Sequence, residues 1–204
     1  MASILQSLGK TVTAGFVLLV AIIIVVSAAS HQTALIGLDY VWWTFLFRWL
    51  HVLSGVMWIG LLWYFNFVQI PNMPKIPDEQ KPAIGKVIAP AALFWFRWAA
   101  LSTLVTGLIL AFLNGYLASA VVIGLDGEFG GRATAIGIGM WLGAIMAFNV
   151  WFLIWPNQKK ALGIVEASAD AKKAAARTAM LFSRTNTMLS IPMLYAMVSA
   201  QNLF

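Results

Sequence analysis

The chain has 204 residues, 61% of them hydrophobic and 10% charged, with a formal net charge of +6, two histidines and no cysteine. Water-soluble domains carry about 25% charged residues, so the composition excludes an ordinary soluble protein and describes one embedded in lipid. The missing cysteines exclude disulfides, iron–sulfur ligation and the CxxCH attachment of a c-type haem within these residues. The basic balance would point to nucleic acid in a soluble protein; here it fits loops facing anionic headgroups.

A membrane span needs roughly 20 mostly apolar residues, and the apolar runs fall at residues 13–29, 41–70, 88–120, 133–155 and 178–200. The fold class they predict is all-α, an integral membrane helix bundle of about five transmembrane helices, with residues 1–204 forming one membrane domain. The first run reads as a helix rather than a cleaved signal segment, because no clear small-x-small pattern follows a basic start; Ser27-Ala28-Ala29 leaves cleavage as the alternative. Pro71, Pro74 and Pro77 are expected to end the second helix, Pro90 to bend the third, and Asn114-Gly115 to break it. The link GLDGEFGGR turns the chain, and Pro156 with Asn157 is expected to stop the fourth helix. Residues 157–177, rich in alanine and lysine, read as a cytoplasmic amphipathic segment. Pro192 is expected to kink the fifth helix.

Orientation follows from the basic residues of the loops. With the N-terminus inside, Lys10, Lys75, Lys81, Lys86, Lys159, Lys160, Lys172, Lys173 and Arg177 share one side, against Arg132 and the marginal Arg48 on the other. The sequence therefore predicts a cytoplasmic N-terminus and a multi-pass protein of the bacterial inner membrane.

The stretch FRWLHVLSGVMWIGLLWYFNFVQIP carries the chemistry. At 3.6 residues per turn, Gly55, Trp58, Leu62, Asn66 and Gln69 recur on the face of His51. Lipid does not tolerate such a stripe, so it should face the protein interior, and a glycine one turn from an imidazole leaves room for something flat. A haem is the sharp expectation, with His51 as iron ligand and Gly55 admitting the ring; the plain reading is a histidine that only hydrogen-bonds. A second polar layer holds Arg97, Asn149 and Arg184. Two arginines at similar depth with no intramembrane carboxylate suggest an anionic partner, such as haem propionates, a quinone headgroup or an anionic substrate. Both arginines snorkelling to the headgroups is the alternative, as helix-to-helix ties are for Asn66 and Asn149. The only other histidine, His31, could serve as second ligand if its segment folded back into the bundle; otherwise that position falls to methionine, water, nothing, or another chain.

Four blocks, WLHVLSGVMWIGLLWYFNFVQIP, FWFRWAALSTLVTGLIL, GMWLGAIMAFNVWFLIWPNQKK and SRTNTMLSIPMLYAM, resemble the membrane domain of the bacterial urate hydroxylase family. The LHxxxGxxWIG core also resembles other small haem-handling membrane families. Urate-active members carry a C-terminal cytochrome c module, which this chain is expected to lack, so the resemblance implies the scaffold more than urate turnover. It places His51, Arg97, Asn149 and Arg184 at matching motif positions. The expected function is a urate hydroxylase-like, haem b-binding electron-transfer subunit; a non-catalytic accessory subunit of a respiratory complex or membrane monooxygenase is the alternative. Expected partners are the lipid bilayer, a c-type cytochrome or larger membrane complex and a second copy of the chain.

Overall fold

A computed structural model of the chain describes residues 2–30 and 38–204. Every regular element among the described residues is helical. The chain packs as two compact units, Met1–Leu46 and Phe47–Phe204.

In the first unit a four-residue helical turn, Ala2–Leu5, precedes α1, Leu8–Ser30. Its span Leu8–Ala29 is the most apolar of the chain, with a mean hydropathy of 2.8. Helix α2, Tyr40–Trp63, starts in this unit. Asp39 caps it, its Oδ1 accepting the Trp42 N–H at 2.8 Å and so satisfying one of the orphan donors of a first turn.

The second unit holds the rest of α2, then α3 (Ala89–Leu113), α4 (Leu117–Val121), α5 (Gly130–Phe148), α6 (Trp155–Ala161) and α7 (Ala169–Asn202). Three prolines that were expected to stop or bend helices are handled differently. Each follows a stretch of π-helix, Tyr64–Gln69 before Pro71, Ile84–Ile88 before Pro90 and Asn149–Ile154 before Pro156. In each case the residue preceding the proline donates its N–H five residues back: Ile70 to Phe65, Ala89 to Ile84 and Trp155 to Val150. Proline lacks a donor and its ring collides with the carbonyl four residues earlier; a wider turn moves that carbonyl aside. The helical path therefore continues past Pro71 to Lys75 and past Pro156 to Ala161, which corrects both expected stops.

The real breaks come at residues with left-handed backbone. Gly115 (φ 77°) follows α3, and Gly163 (φ 72°) follows α6, both in the helix C-terminal position that favours glycine. The break at Gly163 divides the expected continuous segment 157–177 into the end of α6 and the start of α7. Ser168 caps α7 by accepting the Ala171 N–H.

Four stretches, Leu8–Ala29, Tyr40–Lys75, Lys81–Leu113 and Gly130–Ala161, are long and apolar enough to cross a membrane. Helix α7 is longer than most but is not among them, because Ser183, Arg184, Thr185, Asn186, Thr187 and Ser190 dilute its apolar character. It buries small and polar residues, Ala179, Ser183, Asn186, Ser190, Ala196 and Ala200, against its neighbours, as helices in lipid do when they pack closely through small side chains.

Two core clusters form. The larger joins Trp58, Leu62 and Phe65 of the α2 path to Leu93, Phe96 and Ala100 of α3 and to Met146, Val150 and Ile154. The smaller joins Ala111, Tyr116, Ala120, Ile136 and Ala200.

Candidate functional site

A cavity of about 230 Å³ is lined by His51 and Trp58 of α2, Thr103 and Gly107 of α3, Val121 of α4, Trp141 and Gly143 of α5, and Met140, Met193 and Met197 of α5 and α7. Its walls draw on both core clusters, so it is a gap between two well-packed regions.

His51 is held by α3. Its Nδ1 lies 2.9 Å from the Thr103 carbonyl oxygen and 3.5 Å from the Thr106 hydroxyl. A carbonyl can only accept, so Nδ1 carries the proton and Nε2 keeps its lone pair in the neutral ring. Nε2 has no hydrogen-bond partner among the described residues. Metal-ligating histidines usually show this arrangement, one ring nitrogen anchored to a carbonyl and the other free to ligate.

Room for the ring comes from Gly107. A Cβ there would fall 2.8 Å from His51 Cε1 and 2.9 Å from Nδ1, closer than non-bonded atoms approach. Gly55, expected to leave room for a flat group one turn from His51, plays no part in seating the imidazole: a Cβ at 55 would meet only Thr103 Cγ2 at 4.0 Å, an ordinary contact. It shares a helix with His51, whereas the space beside the imidazole is set by the neighbouring helix that ring leans on. Gly107→Ala is therefore expected to swing the ring off the Thr103 carbonyl, costing about 1 kcal/mol for the lost bond, while Gly55→Ala leaves it in place. Side-by-side thermal unfolding of the two variants checks this; equal midpoints would contradict it.

The remaining expected residues are distributed over the unit. Trp58 is 1% exposed and lines the cavity, and its Nε1 has no acceptor among the described residues. Arg97 lies elsewhere, its guanidinium 3.3 Å from the centroid of the Trp155 ring and its Nη1 buried with no partner among the described residues. Arg184 is exposed. Asn149 is buried and donates through Nδ2 to Asn186 Oδ1 at 2.8 Å, and Asn186 donates to the Met146 carbonyl at 2.9 Å; this is a tie between α5 and α7. Of the six, the structure brings together only His51 and Trp58 at the cavity. His31 lies outside the described residues. Thr103, Gly107 and the three methionines were missed, since nothing in a single sequence says which face of α3, α5 or α7 meets His51.

Among the described residues no three His, Asp or Glu side chains gather as a metal cluster. The donor chemistry present is one anchored imidazole and three thioethers in apolar walls, a set suited to an iron held by histidine, with methionine available as a second ligand. The volume lies below the roughly 300–1,000 Å³ of typical ligand clefts. The donor set therefore fits an iron ligated at His51, while the cavity is smaller than a whole macrocycle.

Residues 116–203 match a family model described as urate oxidase N-terminal. No curated protein and no solved structure matches the chain. The matched residues run from Tyr116, just before α4, to Leu203, just past α7, and include Asn149, Arg184 and the three cavity methionines, whereas His51, Trp58 and Arg97 precede them. The resemblance read from the sequence is borne out there: over residues 116–203 the chain is urate oxidase N-terminal-like.

Proposed function

We propose that this is a urate hydroxylase-like, multi-pass protein of the bacterial inner membrane, N-terminus cytoplasmic, that binds a b-type haem through His51 Nε2 and moves electrons. The observation that carries the reading is the His51 ring itself, with Nδ1 on the Thr103 carbonyl and Nε2 unspent at an apolar cavity. Bound haem supplies a one-electron couple whose potential depends on its axial ligands and on the dielectric around it.

The chain's own residues have separate tasks. Thr103 fixes the tautomer and plane of the imidazole. Gly107 lets the ring lie against α3, and Trp58, Trp141 and Leu108 keep water away. The electron acceptor is a c-type cytochrome or a larger membrane complex. Sequence resemblance supports this part, and the four apolar spans support residence in lipid.

The first test is a reduced-minus-oxidised absorption spectrum of purified protein with a pyridine haemochrome assay. A b-type spectrum is expected. A flat spectrum from folded protein would overturn the haem reading in favour of an accessory subunit.

A further inference from the structure

Arg97 and Arg184 were the arginines expected to meet an anion, yet no arginine lines the cavity itself. Two others, Arg48 and Arg132, sit on elements next to its lining residues. Arg48 precedes His51 by three residues on α2, about 4.5 Å along the helix axis. Arg132, near the start of α5, has its Cζ 5.6 Å from the centroid of the Tyr116 ring. Tyr116 is the residue before α4, whose last residue, Val121, lines the cavity. Both arginines therefore belong to the end of the unit where α4 covers the cavity.

Neither has a carboxylate partner among the described residues. Among the described residues the one ion pair is Lys81 with Asp78. Arg48 Nη2 reaches only Asn114 Oδ1, at a long 3.5 Å. Arg132 Nη2 donates to Gln201 Oε1 at 3.2 Å, while its Nε is buried with no acceptor. A guanidinium has five N–H donors; exposed Arg48 turns most of its donors to its surroundings, whereas half-buried Arg132 keeps a buried donor unpaired among the described residues. Both charges also act on one buried phenol: burial pushes the Tyr116 pKa up, and Arg132 and Arg48 oppose that rise. A buried, unsatisfied guanidinium N–H costs more than a neutral donor would, and an anion between the two arginines would remove that cost.

We infer that Arg48 and Arg132, steadied by Asn114, Tyr116 and Gln201, form a carboxylate-binding clamp that holds the propionate groups of a macrocycle ligated at His51. The inference rests on the haem reading and adds the anchor that reading lacked. It also fixes the direction of the macrocycle, its acidic edge towards α4 and its apolar edge towards Trp58 and Met193. Arginine suits the task because its planar fork pairs with a carboxylate through two parallel hydrogen bonds.

The experiment compares haemin with haemin dimethyl ester, which keeps the ring and iron but lacks both carboxylates. Each is titrated into haem-free protein for the wild type, R48Q, R132Q and, as a control, R97Q. The wild type should bind haemin at least about tenfold more tightly than the ester, and R48Q and R132Q should each lose about tenfold towards haemin with little change towards the ester. R97Q should lose neither. Retained ester binding also reports that a variant is folded. Wild-type protein that binds both ligands equally would overturn the clamp alone, as would an R132Q variant that weakens both ligands equally. Loss of co-purifying phospholipid from R48Q and R132Q with an unchanged haemin-to-ester ratio would overturn it in favour of a lipid phosphate. Wild-type protein that takes up neither ligand would overturn the haem reading and the clamp together.

Discussion

His51→Ala should purify from the membrane in normal yield and carry almost no haem. The fold should survive because the Thr103 carbonyl, inside helix α3, still accepts the helical Gly107 N–H, so no buried acceptor is orphaned. A haem iron bound as proposed would, by contrast, lose the one imidazole among the described residues, and none of the thioethers carries the anchoring hydrogen bond that orients His51. His51→Gln separates ligation from structure. Its amide can still donate to Thr103 but binds iron poorly, so it should match the wild type in thermal midpoint and match His51→Ala in haem content. Free imidazole added to His51→Ala should restore part of the absorbance by occupying the vacated space. Haem content unchanged in both variants would remove His51 from the site.

Gly137→Ala should be the most damaging single methyl group in the second unit. A Cβ at 137 would collide with the Ala120 carbonyl oxygen and come within 3.1 Å of Ile123 Cα. Both are backbone atoms, so no side chain can swing aside as His51 can beside Gly107. Helix α4 would have to lift from α5, and the following turn has little slack, since Ile123 and Gly124 already hold φ of 57° and 71°. Overpacking costs about 1–3 kcal/mol, and a backbone collision belongs at the top of that range, enough to lower the unfolding midpoint by roughly 5–10 °C. Because α4 brings Val121 to the cavity and follows Tyr116, haem affinity should fall with it. A midpoint within a degree of the wild type would show that α4 is free to move.

The membrane character and the helices were legible because they depend on apolar run length alone. Helical breaks were less so. Proline at 71 and 156 announces a lost hydrogen bond, but whether the chain ends or widens its turn depends on what packs around the loosened carbonyl. Helix α7 was expected as the fifth helix, but not the make-up of its packed face: Ser183, Asn186 and Ser190 are buried there, with bonds from Asn66 to Ser183 and from Trp63 to Ser190. At the site, His51 and Trp58 were readable because they share one face of one helix. Gly107 was not, since its importance lies in a contact across helices. For Arg97 and Arg184 periodicity gave a depth in the membrane but no azimuth, and azimuth separates an arginine near the cavity from one stacked on Trp155 or facing outward.

The π-turns before Pro71, Pro90 and Pro156 have a consequence for how this sequence can change. Such a turn holds about one residue more than the α-helix it interrupts, and each residue of an α-helix advances its face by about 100°. Deleting a single residue within 64–69 or 149–154 could tighten the coil to α without rotating the flanking helix faces. The same deletion in the middle of α3 or α5 would turn half the helix away from its neighbours. Length variation of one residue should therefore be tolerated at these three places, and Asn66 and Asn149, which sit within two of them, are the side chains whose aim it would alter first.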